Sequence, residues 1–203
     1  MVKNLLTYAL GGLLLASAAC SSKDVEPQPE ARVTRTDEFV SAKADGQYTD
    51  CQDVYRRNGT VPDTLFNGYR NFWVSSTQRL QQIDIMRLEN AQAGSSKFFI
   101  LTFGGVDLDA LTVPAEFTSA DKTNWVSLSF GDYSVGKGPV SGPDPNLYSG
   151  STLAKDNLVV KVLSKDNDVL TGTFRGPVRN TANQTKTITE GQFRIKLLRK
   201  TRP

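Results

Sequence analysis

The chain has 203 residues, 24 of them basic and 21 acidic, and it contains no histidine. This nearly balanced charge excludes a strong general attraction to nucleic acid, so we predict no nucleic-acid partner. The lack of histidine excludes Ser-His-Asp and Cys-His catalysis and histidine-bearing zinc sites. The composition therefore favours a non-catalytic protein, for which we predict neither a cofactor nor a metal.

The N-terminal residues have the three parts of a secretory signal peptide. Lys3 supplies the positive start, and Leu5 to Ala19 form an apolar stretch too short to span a membrane. Ala18-Ala19-Cys20 then resembles the lipobox of bacterial lipoproteins, in which the cysteine receives a diacylglyceryl group and cleavage occurs just before it. We therefore predict a signal peptide over residues 1–19 and lipid attachment at Cys20.

Residues 20–36 have the composition of a flexible tether. They are rich in charge, include Pro27 and Pro29, and contain too few apolar side chains to offset the entropy of ordering. Ser21 to Glu26 resembles the charged signals that some Gram-negative bacteria use to send lipoproteins to the outer face of the outer membrane. We expect export to that membrane, with the lipid as the membrane contact and residues 37–203 as the domain.

A second cleavage site stays open as an alternative. Ala16-Ser17-Ala18 fits an ordinary secretory site, which would leave a chain without a lipid anchor. In that chain Cys20 and Cys51 could form a disulfide. If Cys20 is acylated, Cys51 is the only free thiol of the mature protein.

The first half of the domain reads as short strands separated by turns. Glu38 to Lys43 is a candidate strand that ends at Asp45-Gly46, a strong turn pair. Ile83 to Ile85 alternates as a strand, although its surroundings also fit a short helix. The aromatic and β-branched run Lys97 to Phe103 predicts a strand buried on both faces. Trp125 to Phe130 alternates, with the buried series starting at Trp125 or at Val126.

The second half predicts a hairpin and a long last strand. Leu158 to Leu163 and Val169 to Phe174 flank a polar turn at residues 165–168. Ile188 to Leu198 follows, with alternate residues on one face. About eight strands without a convincing helix predict an all-β fold, a single antiparallel β-sandwich. The predicted core consists of Phe39, Ile100, Trp125, Leu128, Phe174, Phe193 and Ile195.

Three short pieces of the domain carry a resemblance to a known family. Phe39 to Gly46, Leu170 to Phe174 and Ile188 to Phe193 resemble recurring pieces of small, uncharacterised Gram-negative bacterial lipoproteins with β-sandwich domains. The family has no assigned activity. The resemblance implies a fold and a location and assigns no catalytic residue.

The sequence contains two kinds of candidate site. Asp107-Leu108-Asp109 and Asp166-Asn167-Asp168 place carboxylates two residues apart, but neither has the ligands of a calcium loop, and turn chemistry explains them better. Residues 136–150 form a long loop rich in glycine and proline. Together with nearby aromatic residues this loop could supply a platform for a sugar or peptide, although core packing is the more usual role of tryptophan. The candidate platform consists of Trp73, Trp125, Tyr133 and Tyr148.

The sequence thus favours a non-catalytic, surface-anchored envelope lipoprotein that binds or scaffolds a glycan or an envelope protein. The alternative is a carbohydrate-binding accessory protein, which needs exposed aromatic rings. A glycosidase-like enzyme is the third hypothesis, and it requires two carboxylates about 5–9.5 Å apart in a cleft.

Overall fold

The protein is described from a computed structural model that covers residues 33–57, 61–62, 66–73, 79–92, 96–121, 123–134, 143–154 and 156–199. The described residues form strands and no α-helix, apart from one 3-10 turn at Thr152–Ala154. The strands are β1 Phe39–Ala44, β2 Gln47–Cys51, β3 Asp53–Val54, β4 Arg56–Arg57, β5 Val61–Pro62, β6 Asn67–Trp73, β7 Arg79–Leu88, β8 Lys97–Gly104, β9 Ala115–Phe117, β10 Trp125–Asp132, β11 Leu147–Ser151, β12 Val159–Asp166, β13 Val169–Arg179, β14 Thr185–Lys196 and β15 Leu198–Arg199.

The strands join in one 13-stranded sheet, with β4 and β5 as a separate pair. Neighbouring strands follow the order β7, β8, β10, β11, β13, β14, β1 and β2. One residue after β2, the short strand β3 pairs with β7, so the chain leads from the last strand of this series back to the first. The sheet therefore curls round, and this curled series of strands is called the ring. Attached to this ring are β6 and β15 beside β7, and β12 and β9 beside β13.

The predicted all-β class is confirmed. The division into two packed sheets, which defines a sandwich, stays a prediction, since hydrogen bonding joins the main strands in one sheet. The described residues form 15 strands where about eight are predicted. Several of the additional strands contain only two or three residues, which is too short to show a pattern in sequence. The segment around Ile83 to Ile85, which also fitted a helix, is part of strand β7.

Turn chemistry fixes two of the hairpins. Asp45 and Gly46 have φ angles of 49° and 81°, the positive values that a two-residue turn with the twist of the strands requires. The predicted hairpin near the C-terminus is also confirmed, because Asp166 pairs with Val169 across two turn residues. These turns set the registers of β1 with β2 and of β12 with β13.

The inner face of the ring is filled by side chains with little or no exposure to solvent. The predicted core residues Leu128, Phe174, Phe193 and Ile195 belong to it and are confirmed. Many other apolar side chains share this face, including Val40, Ala42, Ile83, Ile85, Phe99, Leu101, Phe103, Val126, Phe130, Val178 and Ile188.

Two of the predicted core residues lie on the outer face instead. Ile100 and Trp125 are partly exposed, so their assignment to the core is wrong. Val126, one position after Trp125, starts the buried series of β10, and the one-residue shift transfers Trp125 to the other face. Phe39 is fully buried, as predicted, although it lies outside the main core cluster and beneath the guanidinium of Arg35, 3.9 Å from the ring centroid.

Two reciprocal glycine–aromatic pairs link β13 and β14 on the inner face. Gly172 lies opposite Phe193, and Gly191 lies opposite Phe174. In each pair the ring covers the glycine so closely that an added Cβ would lie within 2.7 Å of ring atoms. Each glycine also lies against a backbone carbonyl oxygen, which leaves no room for a side chain.

The same arrangement occurs on the outer face, between β8 and β10. Gly104 lies opposite Trp125, and Gly131 lies opposite Phe98. A Cβ added at Gly104 would lie 2.1 Å from the Trp125 indole, and one added at Gly131 would lie 2.1 Å from the Phe98 ring. The two rings therefore rest directly on the backbone of the neighbouring strand.

The domain makes its first described contacts before residue 37. Residues 33–36 have no regular structure, yet Arg35 binds Asp50 at 2.9 Å and the carbonyl of Thr36 accepts a hydrogen bond from Arg194. The predicted signal peptide, Cys20 and the rest of the predicted tether lie outside the described residues. In the part of the chain that the structure covers, no helix is long and apolar enough to span a membrane.

Candidate functional site

The candidate site lies on the outer face of β8 and β10. In β10 the buried residues Val126, Leu128 and Phe130 alternate with partly exposed residues on the other side of the sheet. This outer series begins with Trp125 and continues through serines to Gly131. Because successive side chains of a strand point to opposite faces, the core packing of one series positions the other.

Trp125 is the aromatic residue that this arrangement presents. Its indole lies across Gly104, and both residues sit at the same end of the β8–β10 ladder. Since Gly104 has no side chain, the ring rests on the backbone and keeps part of its surface in solvent. An indole fixed in this way offers a stacking surface with little loss of side-chain entropy on binding.

A buried polar network lies on the same face, on the strand beyond Gly104, since Gln82 of β7 pairs with Gly104, the cross-strand partner of Trp125. Asp84 of β7 is only 4% exposed, and its carboxylate accepts hydrogen bonds from Thr102 at 2.8 Å and from Gln82 at 2.9 and 3.0 Å. The guanidinium of Arg70 forms an ion pair with it. A buried carboxylate is stable only when it is paired and hydrogen-bonded, as here, so these side chains are held in fixed positions.

The other end of this face carries a second aromatic group. Tyr133 stacks on Phe98 with 5.6 Å between ring centroids and an angle of 14° between planes. The Tyr133 hydroxyl donates a hydrogen bond to Asp144. Burial, aided by that carboxylate, raises the pKa of Tyr133 to about 12.

A cleft of about 370 Å³ opens at the Trp125 end of the ladder. The loop that follows β8, strand β9 and the loop that precedes β10 form its walls. Gly105 and Asn124, the chain neighbours of Gly104 and Trp125, both line it. The full lining is Gly105, Val106, Asp107, Ala110, Leu111, Thr112, Ala115, Glu116, Phe117, Asp121 and Asn124.

Two carboxylates of the cleft are fixed by the backbone. Asp107 accepts from the N–H groups of Asp109 and Ala110 at 2.9 and 3.4 Å. Asp121 accepts from the N–H groups of Asn124 and Thr123 at 3.1 and 2.8 Å, and these bonds hold its pKa below the usual range.

The predicted aromatic platform is brought together only in part. Trp125 and Tyr133 share the outer face but lie at opposite ends, eight residues apart, or about 26 Å at the rise of a strand. Tyr148 lies opposite the core residue Phe130 in the neighbouring strand and packs against the core, so it lies on the inner face and not on the outer one. Trp73 ends β6, and its side chain lies outside the described part of the structure. The four aromatic residues therefore do not form one surface.

The acidic turns at residues 107–109 and 166–168, which resemble calcium loops only in part, have another structural role. Asp109 and Asp168 both bind the guanidinium of Arg199, at 2.7 and 2.6 Å. Within the described ranges, no group of three or more Asp, Glu, Cys or His residues is placed to hold a metal ion. These carboxylates thus connect β15 to the turns that adjoin it.

Two buried polar groups were not anticipated from the sequence. Arg87 of β7 is 1% exposed and binds Glu38 at 2.6 Å and Asn67, while burial lowers the pKa of its guanidinium. The alternation of β7 in the sequence signalled that position 87 faces inward, but residue type argued against burial. Cys51 is also buried, and burial raises the pKa of its thiol.

Comparison of the chain with protein families, with curated proteins and with solved structures finds no match.

Proposed function

We propose that the protein is a non-catalytic lipoprotein of the bacterial outer membrane, whose β domain binds an envelope ligand on its outer face near Trp125. The observation that carries this proposal is the placement of Trp125. A tryptophan that rests on a glycine, beside fixed polar groups and a cleft, is arranged for contact with a ligand. The inner face is occupied by core side chains, so binding takes place outside the ring.

The lipid anchor is part of the proposal and rests on the sequence around Cys20. The mature protein would begin there with a diacylglyceryl group, whose two chains suffice for stable anchoring. The intact mass of the purified protein tests this directly. The expected species begins at Cys20 and carries lipid mass, whereas a chain that begins at Ala19 without lipid would contradict the proposal.

A pair of cysteine variants separates anchoring from folding. We expect Cys20→Ser to leave the membrane fraction or to accumulate as unprocessed precursor. The matched control is Cys51→Ala, which changes the buried cysteine of the domain and leaves the predicted lipid attachment residue in place. That control should stay with the membrane, and equal behaviour of the two variants would contradict the assignment of Cys20.

A carbohydrate-binding accessory protein is the second candidate, and the partial exposure of Trp125 favours it. Sugar rings present C–H groups on their faces, and these pack well against the negative face of an indole. Binding to a panel of envelope and extracellular polysaccharides tests this candidate, with and without Trp125→Ala. Hydrolysis of any bound glycan by the purified protein would instead support the glycosidase hypothesis and contradict a non-catalytic role.

A further inference from the structure

We propose that the cleft beside Trp125 binds the end of a saccharide chain that carries no acidic groups. The sugar ring at the chain end would enter the cleft, and the next ring would stack on the indole. This inference rests on the proposed binding role of the outer face and assigns to it a ligand class and a position.

The cleft has the size and the support of a small-ligand site. Its volume of about 370 Å³ lies within the usual range of about 300–1,000 Å³ for such sites. The walls are loops, but they are pinned to the rigid ladder. The N–H of Gly105 donates to Gln81 at 2.9 Å, and an added Cβ at Gly105 would lie 2.5 Å from the carbonyl oxygen of Thr123. The two loops that flank the ladder therefore meet at the cleft.

The residues that line the cleft could contact both the hydroxyl groups and the C–H groups of a sugar. Carboxylate oxygens of Asp107 and Asp121, with the Thr112 hydroxyl and the Asn124 amide, can accept or donate hydrogen bonds to ring hydroxyl groups. The larger apolar residues of the lining are Leu111, which is partly exposed, and Val106 and Phe117, which are 3% and 4% exposed. The Trp125 indole is not part of the lining and would add apolar surface beside the cleft. A ligand with hydroxyl groups around its edge and C–H groups on its faces would satisfy both sets.

The negative charge of the cleft lining determines which class of sugar would bind there. Glu116 is neutralised by an ion pair with Lys161 at 2.8 Å, which leaves the charge of the lining to Asp107 and Asp121. Hydrogen bonds from the backbone keep Asp121 ionised well below neutral pH. A uronic acid or a phosphorylated sugar would therefore be repelled, whereas a neutral sugar or an amino sugar would not.

The lining carboxylates do not form a metal site. Nowhere in the described ranges do three acidic or thiol side chains come close enough to hold a metal ion. Hydrogen-bond acceptors with a planar ring nearby suit a ring-shaped organic ligand better than a cation.

Calorimetric titration of the full mature protein tests the inference with three sets of oligosaccharides: neutral, amino and uronic. We expect binding of neutral or amino oligosaccharides and none of the uronic set. Trp125→Ala and Asp107→Asn should each weaken binding at least about tenfold. Asp107→Asn keeps the Oδ1 acceptor that holds the turn, so a loss of binding would not come from unfolding.

Two further variants distinguish the cleft from the rest of the surface. Ala110→Phe adds a ring to an exposed wall residue of the cleft, and it should block binding without removing any group. Tyr48→Ala removes a 59% exposed aromatic side chain from β2, which does not line the cleft, and it should leave affinity unchanged. Unchanged affinity in Ala110→Phe, or tighter binding of uronic oligosaccharides, would overturn the assignment.

These experiments distinguish a failure of the proposed saccharide site from a failure of the proposed anchored, non-catalytic binding role. If the protein carries lipid and stays with the membrane but binds none of the three saccharide sets, the saccharide site is wrong and the anchored binding role stands. If a saccharide binds and is hydrolysed, the cleft assignment stands and the non-catalytic role is wrong.

Discussion

The ladder between β13 and β14 and the ladder between β8 and β10 use one packing device on opposite faces of the sheet. In the first, the aromatic groups of Phe174 and Phe193 cover cross-strand glycines on the inner face of the sheet. In the second, the aromatic groups of Phe98 and Trp125 cover cross-strand glycines on the outer face. The inner rings are nearly or fully buried, while the outer rings keep part of their surface in solvent.

The difference separates a stabilising role from a presenting role. On the inner face, each glycine lets two strands and a large side chain pack at interior density, and the contact contributes to folding. On the outer face, the glycine flattens the ring against the sheet, and nothing described covers the other side of Trp125 completely. The same local geometry thus stabilises the fold in one ladder and positions a binding surface in the other.

The largest expected effect concerns the inner ladder. Phe193→Ala removes a ring that is 0% exposed and should lower the free energy of unfolding by about 3–5 kcal/mol, because it leaves a cavity in a filled core. The midpoint of urea unfolding measures this effect. The exposed Tyr48→Ala is the control and should shift the midpoint little, so similar shifts in the two variants would contradict the description of the core.

Substitution of a glycine by alanine should also lower the free energy of unfolding more in the inner ladder than in the outer one. Gly172→Ala places a methyl group 2.1 Å from the backbone oxygen of Lys161, which cannot move without breaking the ladder. We expect a loss of about 1–3 kcal/mol or more. At Gly104 the three nearest atoms all belong to the Trp125 indole, a partly exposed side chain that an added methyl group can displace outward. Gly104→Ala should therefore cost less, and an equal loss in both variants would remove the distinction between the ladders.

Trp125→Ala tests whether the aromatic side chain of the outer ladder serves in binding and contributes little to stability. Because the indole is partly exposed and lies outside the core cluster, we expect a loss of about 1 kcal/mol or less in the free energy of unfolding. Binding of a saccharide should nevertheless weaken strongly. A loss of stability as large as that of Phe193→Ala would show that Trp125 acts mainly as a packing residue.

Turn chemistry and alternation allowed part of this fold to be predicted from the sequence. Asp45-Gly46 marked its hairpin because few other residue pairs take two positive φ angles, and Phe193 and Ile195 were placed by alternation with charged residues. Ile100 was misplaced, since the aromatic run around it has no polar residue to mark the outer face. Trp125 was misplaced because its ring is as large and apolar as a core residue, and only the register of β10 decides its face.

The cleft could not be predicted for a different reason. Its lining comes from two loops and a three-residue strand, which are brought together by the pairing of β8 with β10 and of β9 with β12. Asp107 and Asp121 lie on separate loops, and each has the local pattern of a turn residue. Their meeting around one cavity is a property of the tertiary structure, to which no motif in the sequence corresponds.

The smallest expected effect lies at the Tyr133 end of the outer ladder and depends on pH. The pKa of Tyr133 is raised from its ordinary value of 10.0 to about 12, first by burial and then by its hydrogen bond to Asp144. Between these two pH values the folded protein retains a proton that the unfolded chain releases. The folded state therefore binds more protons there, and stability must fall as pH rises through this window.

Two substitutions isolate this contribution. Tyr133→Phe removes the titrating hydroxyl, so the fall in the free energy of unfolding between pH about 10 and about 12 should be shallower than in the unmodified protein. Asp144→Asn keeps the phenol but removes the neighbouring negative charge, so tyrosinate absorbance should show Tyr133 ionising at lower pH. Below pH about 10 the phenol is protonated in both states, and its titration adds no slope there. If Tyr133→Phe leaves the alkaline fall unchanged, Tyr133 is not held as described, and the outer ladder presents a firmly seated ring only at its Trp125 end.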